Sequence, residues 1–320
     1  MATTAFRDMR SFPQLMFSIF VMVASVMIFM VVGMLIAIPF WGLDVIMKGL
    51  TAAGSDPAGM HFLKYFQVIQ SVGLFVVPPF IIALLYHGNV NEYLQINRST
   101  RWQSYLLATV ALIAATPAIN FLGEVNGQMK LPEFMSGLEN WMRTMEDAAT
   151  VLVEKFMKVE SIPGLLFNIF MIAIIPALGE ELMFRGVIQR IFSNWTKNYH
   201  WGIWITAFLF SAMHMQFYGF VPRMLLGAMF GYLLVWTGTL WVPILAHFVN
   251  NTLGVIGYYL INKGVMTKED GDIGAGLEQY PLAILSFVAV GILLYLLYRR
   301  EQVKIKMPVN RSDSQASRID

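Results

Sequence analysis

Two acidic residues and one basic residue lie in the middle of an apolar stretch, residues 171–191 (MIAIIPALGEELMFRGVIQRI). They are Glu180, Glu181 and Arg185. A charged side chain at membrane depth is costly, so such residues are rare and usually functional. A carboxylate in this setting can act as a general base toward a water molecule. The stretch therefore indicates hydrolytic chemistry inside a membrane.

Two further apolar segments carry side chains that would complete such a site. His214 ends the segment FSAMH, whereas His247 and Asn251 are four residues apart in LAHFVNN. That spacing places His247 and Asn251 on one helix face, where they could stabilise an oxyanion. Asn250 is offset and is expected to pack or cap. For His214, a structural histidine bonded to a backbone carbonyl stays open beside the catalytic interpretation.

The spacing within the acidic motif predicts a division of labour. Glu181 and Arg185 are four residues apart, so they share a helix face and can pair. Glu180 lies about 100° around the helix from Glu181 and can face a cavity. Two acids and one base leave one carboxylate in excess, which a purely structural charge network does not explain.

The composition predicts the elements that position these residues. Hydrophobic residues make up 57% of the chain and charged residues 13%, whereas about a quarter of a soluble domain is charged. A spanning helix needs roughly 20 mostly apolar residues. We therefore predict an all-α polytopic membrane protein with a buried polar cavity and eight spanning helices, at residues 14–40, 66–86, 103–122, 163–193, 201–219, 221–238, 240–261 and 280–298.

Cysteine is absent, which excludes a disulfide framework, a thiol nucleophile and a cysteine-ligated zinc site. Any histidine chemistry must come from five residues, of which His61, His87 and His200 lie near predicted span ends. No basic stripe with interleaved aromatic residues is present, so we expect no nucleic-acid partner.

The basic residues predict an orientation. They lie before span 1, between spans 2 and 3, between spans 4 and 5, and after span 8. In chain order they are Arg7, Arg10, Arg98, Arg101, Arg190, Lys197, Arg299, Arg300, Lys304 and Lys306. The positive-inside rule makes their side cytoplasmic. We therefore expect a multi-pass plasma-membrane protein with both termini in the cytoplasm and a first span that acts as a retained signal anchor.

The chain divides into five predicted regions. Residues 1–123 form N-terminal membrane helices, 161–262 the helical core with the motifs, 263–300 an acidic loop and the last span, and 301–320 a disordered cytoplasmic tail. Residues 124–160 have apolar residues at helical spacing and are expected to form an amphipathic helix on the extracytoplasmic surface of the membrane. A role in guiding substrate is the alternative to a plain interfacial helix.

The polar residues also match in predicted depth. Counted from the cytoplasmic ends of their helices, Glu180 lies about 21 Å deep, His214 about 20 Å and His247 about 13 Å. They are thus expected to meet near the bilayer midplane, toward its cytoplasmic half.

These three motifs resemble those of a known family. Glu180-Glu181-x-x-x-Arg185, Phe210-x-x-x-His214 and His247-x-x-x-Asn251 are similar to the motifs of the CPBP intramembrane proteases, which include type II CAAX prenyl endopeptidases and bacterial Abi proteins. The resemblance covers residues 161–262.

The resemblance implies a role for each residue of the motifs. Glu180 would activate a water with help from His214, and His247 and Asn251 would stabilise the oxyanion. Glu181 and Arg185 would support the site.

The resemblance leaves the cofactor open. If a zinc ion were present, Glu180, His214 and His247 would be its ligands, with water in a fourth position. The motifs lack the HExxH spacing, and asparagine is a poor zinc ligand. A metal-free glutamate mechanism is therefore the favoured expectation.

The expected function is that of an intramembrane endopeptidase acting in the bilayer near its cytoplasmic side. Its substrate would be a peptide or a membrane protein, with prenylated proteins as one option. The alternative is a non-catalytic binding or bacteriocin-immunity module of the same fold. An ion-coupled transporter would need repeats in both halves, whereas the polar residues here cluster in the second half.

Overall fold

The computed structural model describes Phe6 and residues 9–51 and 57–306, and their regular structure is entirely helical. This confirms the predicted all-α class. Three short 3₁₀ turns join the helices at Glu133–Met135, Phe217–Gly219 and Leu277–Gln279. The helices are α1 (Ser11–Thr51), α2 (Pro57–His87), α3 (Val90–Tyr93), α4 (Trp102–Gly127), α5 (Ser136–Met157), α6 (Ile162–Thr196), α7 (Tyr199–Ala212), α8 (Phe220–Thr237), α9 (Trp241–Asn262), α10 (Lys268–Gly271) and α11 (Tyr280–Lys306).

Seven helices in the described part of the chain are long and apolar enough to cross a membrane: α1, α2, α4, α6, α8, α9 and α11. The multi-pass architecture is thus confirmed. The predicted fifth span, 201–219, is not among these helices. Helix α7 has only 14 residues, about 21 Å of helix against a hydrocarbon core of about 30 Å. Met215 then adopts a left-handed conformation with φ 54°. The mostly apolar pattern of 201–219 concealed this break, since Met213, Met215, Phe217 and Tyr218 continue it past the end of α7.

Helix α6 lies at the centre of the fold. All of its residues from Glu181 to Ile188 are buried. Its apolar side chains form one core with residues of α1, α2 and α7, and with the start of α9. A second core joins α4, α8, α9 and α11. The motif residues are therefore held by neighbours on several sides.

Two helices contain a π-helical turn immediately before a proline-containing turn. In α2 the turn Val72–Val76 precedes Pro78, and in α6 the turn Ile169–Ile174 precedes Pro176. Proline donates no backbone hydrogen bond, and the hydrogen-bonding ladder shifts to i→i+5 pairing just before it. A third π segment, Glu181–Ile188, carries the motif itself, which agrees with the frequent occurrence of π-bulges at functional sites.

Helix α5 is the amphipathic element predicted within residues 124–160. Near its start, Glu139 accepts a hydrogen bond from the Leu131 N–H at 2.9 Å and pairs with Arg143 at 2.8 Å. The Arg143 contact, followed by this N–H, holds the pKa of Glu139 below its usual value. At its end, the Met157 carbonyl accepts from Asn262 of α9 at 3.0 Å. The start of α5 is therefore stabilised locally, and its end is attached to α9.

Residues 301–306, predicted to belong to the polar tail, are helical. Helix α11 continues to Lys306, and Glu301 is buried at 3% exposure. Its carboxylate accepts hydrogen bonds from Thr100 at 2.8 Å and from Ser104. These contacts extend the last helix into the polar sequence. Arg7 and residues 307–320 lie outside the described residues.

We predict that Asn168→Leu destabilises the protein by about 1–3 kcal/mol, the cost of leaving buried polar groups unsatisfied. Asn168 accepts a hydrogen bond from Lys64 at 2.9 Å and donates one to the Phe156 carbonyl at 2.8 Å. The measurement is thermal unfolding in detergent, with the exposed substitution Asn140→Leu as control. Adding Lys64→Met should restore most of the loss, whereas wild-type unfolding of the single variant would contradict this interpretation.

Candidate active site

The buried ion pair between Glu181 and Arg185 is the centre of the site. Arg185 Nη1 lies 2.9 Å from Glu181 Oε1, and the two side chains are 1% and 0% exposed. Arg185 Nη2 also donates to the Gly227 carbonyl at 3.0 Å. The guanidinium lies 4.5 Å and 5.4 Å from the ring centroids of Phe210 and Phe230. The pairing predicted from the spacing is present, and it joins α6 to α7 and α8.

Gly227 allows this contact at close range. A Cβ atom at this position would lie 3.2 Å from the Phe210 ring and 3.3 Å from Arg185 Nη2. Such distances are tighter than most packing contacts, so a larger residue would require its neighbours to shift by a few tenths of an ångström. The missing side chain therefore lets the α8 backbone approach the guanidinium.

Glu181 also binds His247 of α9. Its Oε1 atom lies 2.9 Å from His247 Nδ1, and His247 Nε2 lies 3.9 Å from Glu180 Oε2. Because an ionised carboxylate only accepts hydrogen bonds, Nδ1 is the protonated nitrogen. Nε2 is therefore directed toward Glu180. One carboxylate thus fixes both the arginine and the histidine ring.

Glu180 faces a large cavity, as its position on the helix predicts. Among the described residues, its Oε2 atom has no hydrogen-bond partner. The cavity has a volume of about 650 Å³, and a polar cavity of this size holds water readily. The polar side chains that line it are Gln67, Glu180, His214, Gln216, Arg223, His247, Asn250 and Asn251.

His214 lies in the turn after α7 rather than on a spanning helix. Its Nδ1 atom is 2.8 Å from the Phe210 carbonyl oxygen. A carbonyl only accepts, so Nδ1 carries a proton and Nε2 has a free lone pair in the neutral ring. The structural interpretation of His214 expected a hydrogen bond to a backbone carbonyl, and this bond is present. His214 also lines the cavity.

Asn251 lines the cavity but uses part of its amide elsewhere. Its Nδ2 atom donates to the Ile172 carbonyl at 3.1 Å, and its Oδ1 atom accepts from Asn250 at 3.2 Å. One further N–H of each amide group stays available for a ligand. Asn250, which was expected to pack or cap, lies on the same cavity wall.

Arg223 is a cavity residue that the sequence analysis missed. It is held by Gln216, whose Oε1 atom accepts from Nη2 at 2.7 Å and whose carbonyl accepts from Nη1 at 3.3 Å. The signal was an arginine within the apolar run FVPRMLLGAMF. The rule that singled out Glu180 applies equally to it.

The residues suggested as zinc ligands do not fit a three-ligand site. In the described ranges, no group of three or more His, Cys, Asp or Glu side chains has positions suited to a metal ion. His214 and His247 each have one ring nitrogen already engaged. The second ring nitrogen of each, Nε2, keeps its capacity to bind a ligand in the cavity.

The fold and the cavity define a class, a polytopic membrane protein with a carboxylate–histidine site enclosed by its helices. Residues 162–253 match the family model described as "Type II CAAX prenyl endopeptidase Rce1-like". The resemblance to the CPBP intramembrane proteases is therefore confirmed for these residues. The matched family is one of proteases.

Two bacterial relatives are similar to parts of the chain. The uncharacterized protein YpbD of Bacillus subtilis is 31% identical over 100 residues, which is 30% of this chain and 46% of YpbD. The chain thus spans less than half of that relative. An uncharacterized 24.3 kDa protein of Escherichia coli is 28% identical over 189 residues, covering 54% of this chain and 85% of that protein. No solved structure matches the chain.

We predict that Arg185→Ala lowers the amount of folded protein. The substitution leaves Glu181 charged and buried, and breaking a buried pair in this way costs about 3–5 kcal/mol. The measurement is the monodisperse fraction in size-exclusion chromatography, with the exposed Arg101→Ala as control. The double variant Glu181→Gln/Arg185→Met should recover folded protein. Normal abundance of Arg185→Ala would refute the supporting role.

Proposed function

We propose that this protein is an intramembrane endopeptidase in which Glu180 activates the attacking water. One observation carries the proposal: the Glu180 side chain, whose Oε2 atom has no hydrogen-bond partner among the described residues, lines a 650 Å³ cavity that two histidines also line. Residues 161–262 are the proposed catalytic core. The remaining helices shape and cover the cavity.

The proposed reaction is the hydrolysis of a peptide bond. Glu180 takes a proton from water while the water oxygen attacks the carbonyl carbon. His214 accepts a hydrogen bond from the same water through Nε2, since its Nδ1 proton is held by a backbone carbonyl. The proton then passes from Glu180 to the leaving amine as the carbon–nitrogen bond breaks. The products are one carboxylate and one amine.

The tetrahedral intermediate needs donors for its oxyanion. In its doubly protonated form His247 donates from Nε2, and Glu181 stabilises that charge through Nδ1. The free N–H of Asn251 is the second proposed donor. Glu181 and Arg185 are positioning residues, because they hold the histidine ring without facing the substrate.

The proposed substrate is a peptide or a membrane-protein segment that is presented within the lipid bilayer. A prenylated protein is one option, given the description of the matched family. The protein is proposed to act in the plasma membrane, with the basic loops and both termini in the cytoplasm. This orientation requires that α7 also crosses the bilayer, since the seven longer helices of the described chain alone would place the termini on opposite sides.

We predict that Glu180→Gln abolishes cleavage while the protein accumulates normally. The amide keeps the size of the side chain but cannot accept the proton, and general-base catalysis contributes about 10²–10⁴-fold. The measurement compares new peptide termini in membranes from cells expressing wild type or variant at matched levels. The exposed substitution Glu154→Gln is the control.

Termini that depend on Glu180 would establish proteolysis and identify candidate substrates. Identical termini with wild type and Glu180→Gln, both folded, would refute the peptidase proposal. They would favour the non-catalytic binding or immunity module instead.

We predict that exhaustive chelation leaves the activity of the purified protein unchanged, because the cavity side chains do not form a three-ligand set. The measurement is cleavage of an identified substrate before and after chelation, with metal content determined in parallel. Loss of activity that zinc alone restores would refute the metal-free mechanism.

A further inference from the structure

Most residues that line the catalytic cavity belong to the part of the helix bundle opposite the basic loops. In α6, Ile172 and Glu180 come 24 and 16 residues before its last residue, Thr196, about 36 and 24 Å along the helix, which places Glu180 near the middle. His214 follows the end of α7, and Arg223 lies in the first turns of α8. In α9, His247 lies nearer the basic loops, 6 residues after Trp241, so the cavity extends from the middle of the bundle away from those loops.

A second, smaller cavity opens on the opposite side. Its volume is about 320 Å³, and its lining includes Arg98, Arg190 and Asn194, which belong to the basic loops and helix ends. Arg185 lines this cavity, whereas Glu180 and His247 line the larger one. The Glu181–Arg185 pair therefore lies between the two cavities.

The wall between the cavities is closed by packing. Glu181 and Arg185 are 0% and 1% exposed, and the rings of Phe184, Phe210 and Phe230 are buried beside them. Phe184 and Phe210 contact each other edge to face, with ring centroids 5.2 Å apart. A peptide cannot pass from the basic side to Glu180 without breaking this wall.

Helix α5 borders the larger cavity on its other side. Its lining residues are Ala149, Leu152, Val153 and Phe156. It also holds the turn that follows His214: the Tyr218 N–H donates to Glu146 at 3.0 Å, and Trp141 contacts Phe217 with ring centroids 5.6 Å apart. The cavity thus lies between the motif residues and an amphipathic surface helix.

We propose that substrate reaches Glu180 along α5, from the membrane face opposite the basic loops. By the positive-inside rule this is the extracytoplasmic face, so the substrate is a peptide segment exposed outside the cytoplasm. This inference rests on the proposed peptidase function. It concerns the face from which substrate enters, since Glu180 itself lies near the middle of α6.

The absence of cysteine makes the access route directly measurable with single-cysteine variants. The probe is a membrane-impermeant maleimide applied to intact cells and to permeabilised cells. Asp147→Cys on the exposed face of α5 and Ala149→Cys in the cavity should react in intact cells. Asn194→Cys, near the basic loops, should react only after permeabilisation.

The opposite pattern, or an Ala149→Cys variant that does not react from outside, would overturn the access route. A second measurement, of cleavage after labelling, connects access to activity. Labelling Ala149→Cys with a bulky impermeant maleimide in intact cells should remove the Glu180-dependent termini, whereas labelling Asp147→Cys should leave them unchanged. Termini located in cytoplasmic segments would also overturn the proposal.

The two proposals fail in different ways. If no terminus depends on Glu180, the peptidase function fails, but the labelling pattern still reports which face the cavity opens to. If Glu180-dependent termini persist after Ala149→Cys is fully labelled, the function stands and the access route fails.

Discussion

The buried contact between Glu181 and Arg185 is the constraint on which the rest of the site depends. Two charges removed from water are tolerated only when each is paired and hydrogen-bonded. Arg185 meets this condition through Glu181, the Gly227 carbonyl and two aromatic rings, and Glu181 through Arg185 and His247. These partners come from α7, α8 and α9, so neutralising one arginine fixes how four helices meet. Glu180, the neighbouring carboxylate, lines the cavity, and in the described part of the chain its Oε2 atom has no hydrogen-bond partner.

This arrangement separates structure from chemistry within two adjacent residues. The side chain directed into the bundle holds helices together, and the one directed into the cavity is available to water. The same pair divides the interior into a basic-side cavity and a catalytic cavity. The proposed oxyanion histidine is attached to the dividing wall, so its ring position follows from helix packing rather than from a mobile loop.

The helical fold and most site residues could be predicted because polar side chains are rare inside a membrane and usually functional. Hydropathy predicted most of the spanning segments. Helical spacing predicted the Glu181–Arg185 pair and the position of Glu180 facing a cavity. The end of α7 was missed because Met, Phe and Tyr side chains continue the apolar pattern through the segment that follows it. Arg223 was missed although it obeys the same rule as Glu180. The bond from Asn251 to Ile172 and the burial of Glu301 depend on contacts between distant segments, which no local pattern records.

The short helix α7 has a consequence for the lipid around it. A helix of about 21 Å facing hydrocarbon of about 30 Å creates a mismatch of roughly 9 Å, which a bilayer relieves by thinning locally. Such a depression would bring the polar headgroups toward the end of α7, where His214 begins the turn. Water and a polar peptide backbone would then cross less hydrocarbon to reach the site. The short helix would thus thin the bilayer around the protein and ease the access of water and peptide to the site.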